Sequence, residues 1–270
     1  MWGRGRFANG LLLRANRQLL AVRPALRTAA LKGFLIPDTK VMPDAQAAPP
    51  SFLPFFLVAC LALAGGFADA ASFVLLGVFS GHLTGNSILS GISIVEGDVK
   101  QLQAILTAVG GFVCGTASGV LWRRRVRTPL GMSLPLGLEI LIVGAGVLAH
   151  EALDASLRGY GLALCLSLAL GIQNGVYAAV GTFKVHTTYI TGVTTSLLST
   201  LWHAPDQRVA QSRDRGMFAT ALCCFVAGGG AGAFLTFHHG VYGLVGLMAL
   251  LFMTIPLCRR TFHALSPLKH

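Results

Sequence analysis

Residues 52–95 read FLPFFLVACLALAGGFADAASFVLLGVFSGHLTGNSILSGISIV, 44 positions that hold one acid, Asp69, and no lysine or arginine. As one helix this run would extend about 66 Å, roughly twice the hydrocarbon thickness of a bilayer. It belongs in a membrane, and it must break, double back or lie partly along the interface. Residues 159–202 form a second run of the same length. Four shorter apolar runs, near 102–121, 131–149, 216–235 and 241–257, each have the length of a single crossing. The spacing predicts an all-α, polytopic membrane helix bundle of about six segments, with the first and fourth helices interrupted.

Composition points the same way. The chain of 270 residues is 54% hydrophobic and 11% charged, against roughly 25% charged in soluble domains, so it has too few polar side chains to cover a water-facing globule. Its 33 glycines suit close helix packing in lipid. A mean hydropathy of +0.67 excludes disorder, and the patterning excludes collagen, coiled coil and a secreted disulfide scaffold. Cys60, Cys114, Cys165, Cys223 and Cys224 lie inside apolar runs and Cys258 ends the last one, so they read as small buried apolar residues.

A net charge of +11 would suggest nucleic acid in a soluble protein, but its placement follows a membrane rule. With each long run taken as one crossing, 18 of the 21 Lys and Arg fall on one side, including Arg123, Arg124, Arg125 and Arg127. Both termini are then cytoplasmic, and no nucleic-acid partner is expected. Residues 1–50 form a basic tail with no acid before Asp38. It reads either as an amphipathic or targeting segment or as a translated stretch upstream of a true start at Met42. The remaining boundaries are a first membrane repeat at 51–150, a second at 151–258 and a short basic tail at 259–270.

The two halves match at three places in the same order. GFADAASF at 66–73 parallels GIQNGVYA at 171–178, HLTGNSILSG at 82–91 parallels YITGVTTSLLS at 189–199, and FVCGTASG at 112–119 parallels FVAGGGAG at 225–232. Three crossings per half give the halves opposite orientations, the inverted-repeat plan of many secondary transporters. The breaks are expected at the Thr-Gly elements, Thr84-Gly85 and Thr191-Gly192, where a Thr or Asn side chain can cap a new half-helix whose positive end faces inward.

These motifs carry a family resemblance. Gly66, Asp69, Ala70, Ser72, Phe73, Phe79, Thr84, Gly85 and Asn86, with Gly171, Gln173, Asn174, Thr191 and Gly192, resemble the pattern of YoaK-like bacterial membrane proteins of unknown function. The resemblance covers about residues 52–257 and implies a multi-pass inner-membrane protein without an assigned activity. The chain departs from it at His82, where a small or apolar residue is expected, and at Val193, which has no amide.

Asp69 is the sharpest single signal, because an ionised aspartate at a helix centre costs about 2.5–3.5 kcal/mol by insertion scales and needs a partner, a wet cavity or a proton. Helical spacing places Gly66, Asp69, Phe73, Gly77 and Ser80 on one face. Asp69, Thr84, Asn86, Asn174 and Thr191 are the candidate substrate-binding residues. Asp69, His82 and Glu139 are the candidate proton relay, with Lys184 a candidate counter-charge and Lys184 and His186 read chiefly as structural. Gly111, Gly115, Gly119, Gly228 and Gly232 recur every four residues and are read as packing faces.

No catalytic, metal or cofactor motif is found, and His150-Glu151-Ala152-Leu153-Asp154 opens a polar loop instead of a zinc helix. The expected function is a secondary transporter of a small solute, with a proton as the candidate coupling ion, in which one half rocks past the other. The alternative is a non-transporting assembly or stress-linked subunit binding partner helices, and a channel comes third. The expected partners are the lipid bilayer, an unknown small solute and a second copy of the chain.

Overall fold

The computed structural model describes residues 52–154, 156–180, 194–195, 198 and 208–266, with the backbone alone for 208–214. Seven long helices account for nearly all of them: α1 (Leu53–Leu76), α2 (Leu83–Glu96), α3 (Val99–Arg125), α4 (Pro129–Ala152), α5 (Arg158–Val176), α6 (Arg208–His239) and α7 (Leu244–Leu265). Helices α1, α3, α4 and α5 are each long and apolar enough to cross a membrane, and Arg215–Leu265 is a fifth such stretch of 51 residues. That stretch would run about 76 Å if straight. It is divided by the 3₁₀ turn Gly240–Gly243, where Gly240 takes φ 58° and Gly243 lies against the Leu235 backbone. The turn therefore separates α6 from α7, and α7 packs chiefly on α4 and α1. The chain is a polytopic all-helical membrane bundle.

The ends of the helices follow from local chemistry. Asp98 caps α3, accepting from the Gln101 N–H at 2.9 Å, and Thr128 caps α4, accepting from the Gly131 N–H at 3.1 Å. Pro129 begins α4, where a missing N–H costs nothing. Inside α4, Pro135 cannot donate to the Gly131 carbonyl one turn back. The Trp122 indole N–H of α3 donates to that carbonyl instead, at 3.0 Å. The proline gap is thereby satisfied from the neighbouring helix.

Packing is dominated by two close pairs, α1 with α6 and α3 with α5. A methyl group on Gly66 would collide with the Phe225 carbonyl, and one on Gly228 or Gly232 with the Leu63 or Phe67 carbonyl. In the other pair, Gly115 and Gly119 sit against Leu168 and Ile172, while Gly171 and Gly175 sit against Phe112 and Thr116. At each of these contacts the backbones themselves touch, which only glycine allows. The five predicted packing glycines do pack, and Gly66, Gly171 and Gly175 complete their interfaces.

Two expectations about boundaries change. The first break falls at Gly77, in the left-handed conformation at φ 68°, and not at Thr84-Gly85. Because α1 ends there, Ser80 is not on its face. Helix α5 ends at Val176, and the second expected break, Thr191-Gly192, lies outside the described residues. Helix α6 begins at Arg208, eight residues before the apolar run 216–235, since nothing in Gln211-Ser212-Arg213-Asp214 forbids helix.

Candidate functional site

Asp69 lies seven residues, about 10 Å, before the end of α1. After Gly77 the chain reverses, bringing residues 80–82 back beside it. One carboxylate oxygen, Oδ1, accepts from the Ser80 hydroxyl at 3.1 Å and from the Gly81 backbone N–H at 2.6 Å. The other, Oδ2, faces His82 Nδ1 at 2.9 Å. The Asp69 side chain is 5% exposed and that of His82 32%, so the acid is sealed and the imidazole is its link outward.

The half-helix α2 starts at once after His82, so its N-terminus begins next to the residues that bond this carboxylate. His82 caps α2 without a side-chain bond, and the capping role predicted for Thr84 or Asn86 is absent. Asn86 instead clamps the reversal. Its Oδ1 accepts from the Phe79 N–H at 2.9 Å and its Nδ2 donates to the Phe79 carbonyl at 2.7 Å.

Other contacts fix the same turn. Ser72 donates to the Val78 carbonyl at 2.8 Å, and Gln101 Nε2 of α3 donates to the Gly77 carbonyl at 2.8 Å. The Phe79 ring stacks on Phe73 with centroids 4.7 Å apart, and a methyl at Gly85 would press on that ring at 2.9 Å. His82 reaches Phe225 of α6 with ring centroids 5.9 Å apart. The break is thus a small polar core built from Asp69, Ser80, Gly81, His82 and Asn86.

The structure brings together three of the predicted residues, Asp69, His82 and Asn86. Thr84 is exposed on the first turn of α2, and Asn174 is partly buried on α5. Glu139 belongs to a different place, buried at 2% exposure midway along α4. Thr191, Lys184 and His186 lie outside the described residues. Sequence reasoning missed Gln101 and named Gln173 only as part of the family pattern; Gln173 donates from α5 to the Leu61 carbonyl of α1 at 3.0 Å. A glutamine inside an otherwise apolar helix was the available signal for Gln173.

The family model described as "Protein of unknown function (DUF1275)" matches residues 57–257. The chain belongs to this family. A relative, the UPF0700 transmembrane protein YoaK of Bacillus subtilis (strain 168), is 30% identical over 148 residues, covering 53% of this chain and 64% of that protein. The matched part of this DUF1275 protein thus spans less than two thirds of its relative's length. No solved structure matches it. The resemblance read from the Asp69 and Thr-Gly-Asn motifs is borne out at the level of a multi-pass membrane family, one without an assigned activity.

Proposed function

We propose that this DUF1275 protein is a secondary transporter of a small solute, proton-coupled and seated in the inner membrane with both termini cytoplasmic. One observation carries the reading: a buried intramembrane carboxyl whose hydrogen-bond partners all belong to a break in the helix chain. Its charge is therefore tied to the shape of that break. A merely structural acid at this depth could be replaced by an apolar residue at less cost. In this reading Asp69, Thr84, Asn86, Asn174 and Thr191 line the solute site. Proton exchange enters through His82, the exposed member of the pair.

The packing supports an inverted repeat. Helix α1 opens the first half and packs through glycine on α6, the glycine-rich helix of the second half. Helix α5 opens the second half and packs in the same way on α3 of the first. A pseudo-two-fold axis in the membrane plane produces such an exchange. It also alters the expected motion, because backbone-to-backbone contacts tie the halves to each other. The moving bodies are then the α1–α6 and α3–α5 pairs, rather than one half rocking past the other.

The competing reading, an assembly subunit binding partner helices, loses much of its proposed surface. Gly111, Gly115, Gly119, Gly228 and Gly232 are all covered within the chain. Flux into proteoliposomes across a solute panel at two pH values tests the carrier. Asp69→Asn is expected to abolish pH-coupled flux while still inserting, and unchanged flux rejects the assignment. A stoichiometric partner in detergent, with no solute stabilising the protein against heat, favours the assembly reading.

A further inference from the structure

Glu139 stands apart from the break and has no partner there. It is the eleventh residue of the 24-residue α4, is 2% exposed, and its Oε1 has no hydrogen-bond partner. It borders a cavity of about 10 Å³ lined also by Ala64 and Ala68 of α1, Leu170 and Gln173 of α5 and Leu251 of α7. That volume is about the least that holds one water. Among the described residues, no lysine, arginine or histidine lines it.

Among the described residues a bare carboxylate here has nothing to offset its loss of hydration, and a metal ion would find too few oxygen ligands. The small side chains of Ala64 and Ala68 leave the space open where a larger residue would have filled it. A water-sized space against an unpaired carboxyl oxygen suits the transfer of one proton.

A further polar cluster lies toward the arginine-bearing end of α3 and α4. The Tyr177 hydroxyl donates to the Met132 carbonyl at 2.6 Å, and Cys258 Sγ lies 3.7 Å from that hydroxyl. Met132 is seven residues before Glu139, about 10 Å along α4. Among the described residues, Tyr177 from the end of α5 and Cys258 from α7 are the titratable groups within electrostatic reach of Glu139. Of the other titratable groups on the packed helices, Cys165 of α5 meets Gly146, Cys60 of α1 meets Thr254 of α7, and Asp69 is held by residues 80–82. His150 and Glu151 lie at the end of α4, Arg158 and Tyr160 at the start of α5, Arg259, Arg260 and His263 at the end of α7, and Tyr242 in the exposed part of the 3₁₀ turn.

We propose that Glu139 and its cavity form a second proton-binding site, separate from the Asp69–His82 pair, with Tyr177 and Cys258 on its route toward the arginine-rich face. Its role in coupling rests on the carrier reading, but its existence does not. On binding, the carboxylate takes a proton from a hydronium in the cavity and leaves water; release reverses this.

Infrared spectra of the full-length protein in liposomes, recorded across a pH titration, test the site. Wild type is expected to show a protonated-carboxyl carbonyl band that is absent from Glu139→Gln and disappears as pH rises. Glu139→Asp is expected to move the band rather than abolish it, which serves as the assignment if the glutamine variant does not fold. Tyr177→Phe is expected to leave the band but slow its response to a pH jump severalfold. The proposal is overturned by a spectrum with no band assignable to residue 139, by a band that no pH change alters, or by one that sodium chloride removes at fixed pH, the mark of a cation site. The spectra need no solute, so a flux assay that finds no transport would sink the carrier and leave this result standing.

Discussion

At the scale of single residues, the break depends on side chains that bond to backbone. Asn86 serves both the N–H and the carbonyl of Phe79 and is 1% exposed. Asn86→Ala would leave two part-buried backbone groups unmatched, and such losses cost about 1–3 kcal/mol each. The variant is expected to melt several degrees lower in detergent, measured by a thermal-shift assay, whereas Thr84→Ala, at an exposed position, should not. Asp69 was legible in the sequence because an acid is costly in an apolar run, and Asn86 because it follows a helix-breaking Thr-Gly. Their partners were not. Ser80 had been placed on the same helical face as Asp69, but it reaches the carboxylate only because Gly77 reverses the chain. His82 looked like a departure from the family pattern, and its bond to Asp69 follows from the same reversal.

At the scale of helices, Trp122 and Pro135 form a testable couple. Trp122→Phe removes the donor to the Gly131 carbonyl and is expected to destabilise by about 1–3 kcal/mol. Pro135→Ala restores the helix's own N–H to that carbonyl, so the double variant should recover most of the loss. A thermal double-mutant cycle would show this as strong non-additivity, and additive losses would count against the account. The glycine ladders invite a second comparison. Gly66→Val and Gly232→Val drive side chains into opposing backbone, an overpacking that costs about 1–3 kcal/mol or more, while Gly137→Ala and Gly230→Ala meet open space. Yield of monodisperse protein in detergent should separate the two classes. A repeat of four showed which faces pack, since period alone puts them on one side. Which helix each face meets was not legible, because it depends on the arrangement of the whole bundle.

At the scale of the whole molecule, arginine placement and helix order combine into a topology that can be measured. With the six native cysteines replaced, Glu96→Cys and Asp154→Cys are expected to react with a membrane-impermeant maleimide in intact cells. Arg127→Cys should react only after the membrane is opened, and the reverse pattern would turn the proposed orientation over. The polytopic helix bundle was legible from run lengths, because hydrocarbon thickness acts on the chain directly. The exchange of partners between halves has a further consequence for how the chain is made. Asp69 finds its bonds 11, 12 and 13 residues downstream, so this acid is satisfied almost as soon as it leaves the ribosome. Gly66, a turn away, meets Phe225 only after about 160 more residues have been synthesised. The first helix must therefore wait in the lipid with a bare glycine groove, its acid already sheltered, until nearly the last helix arrives to close it.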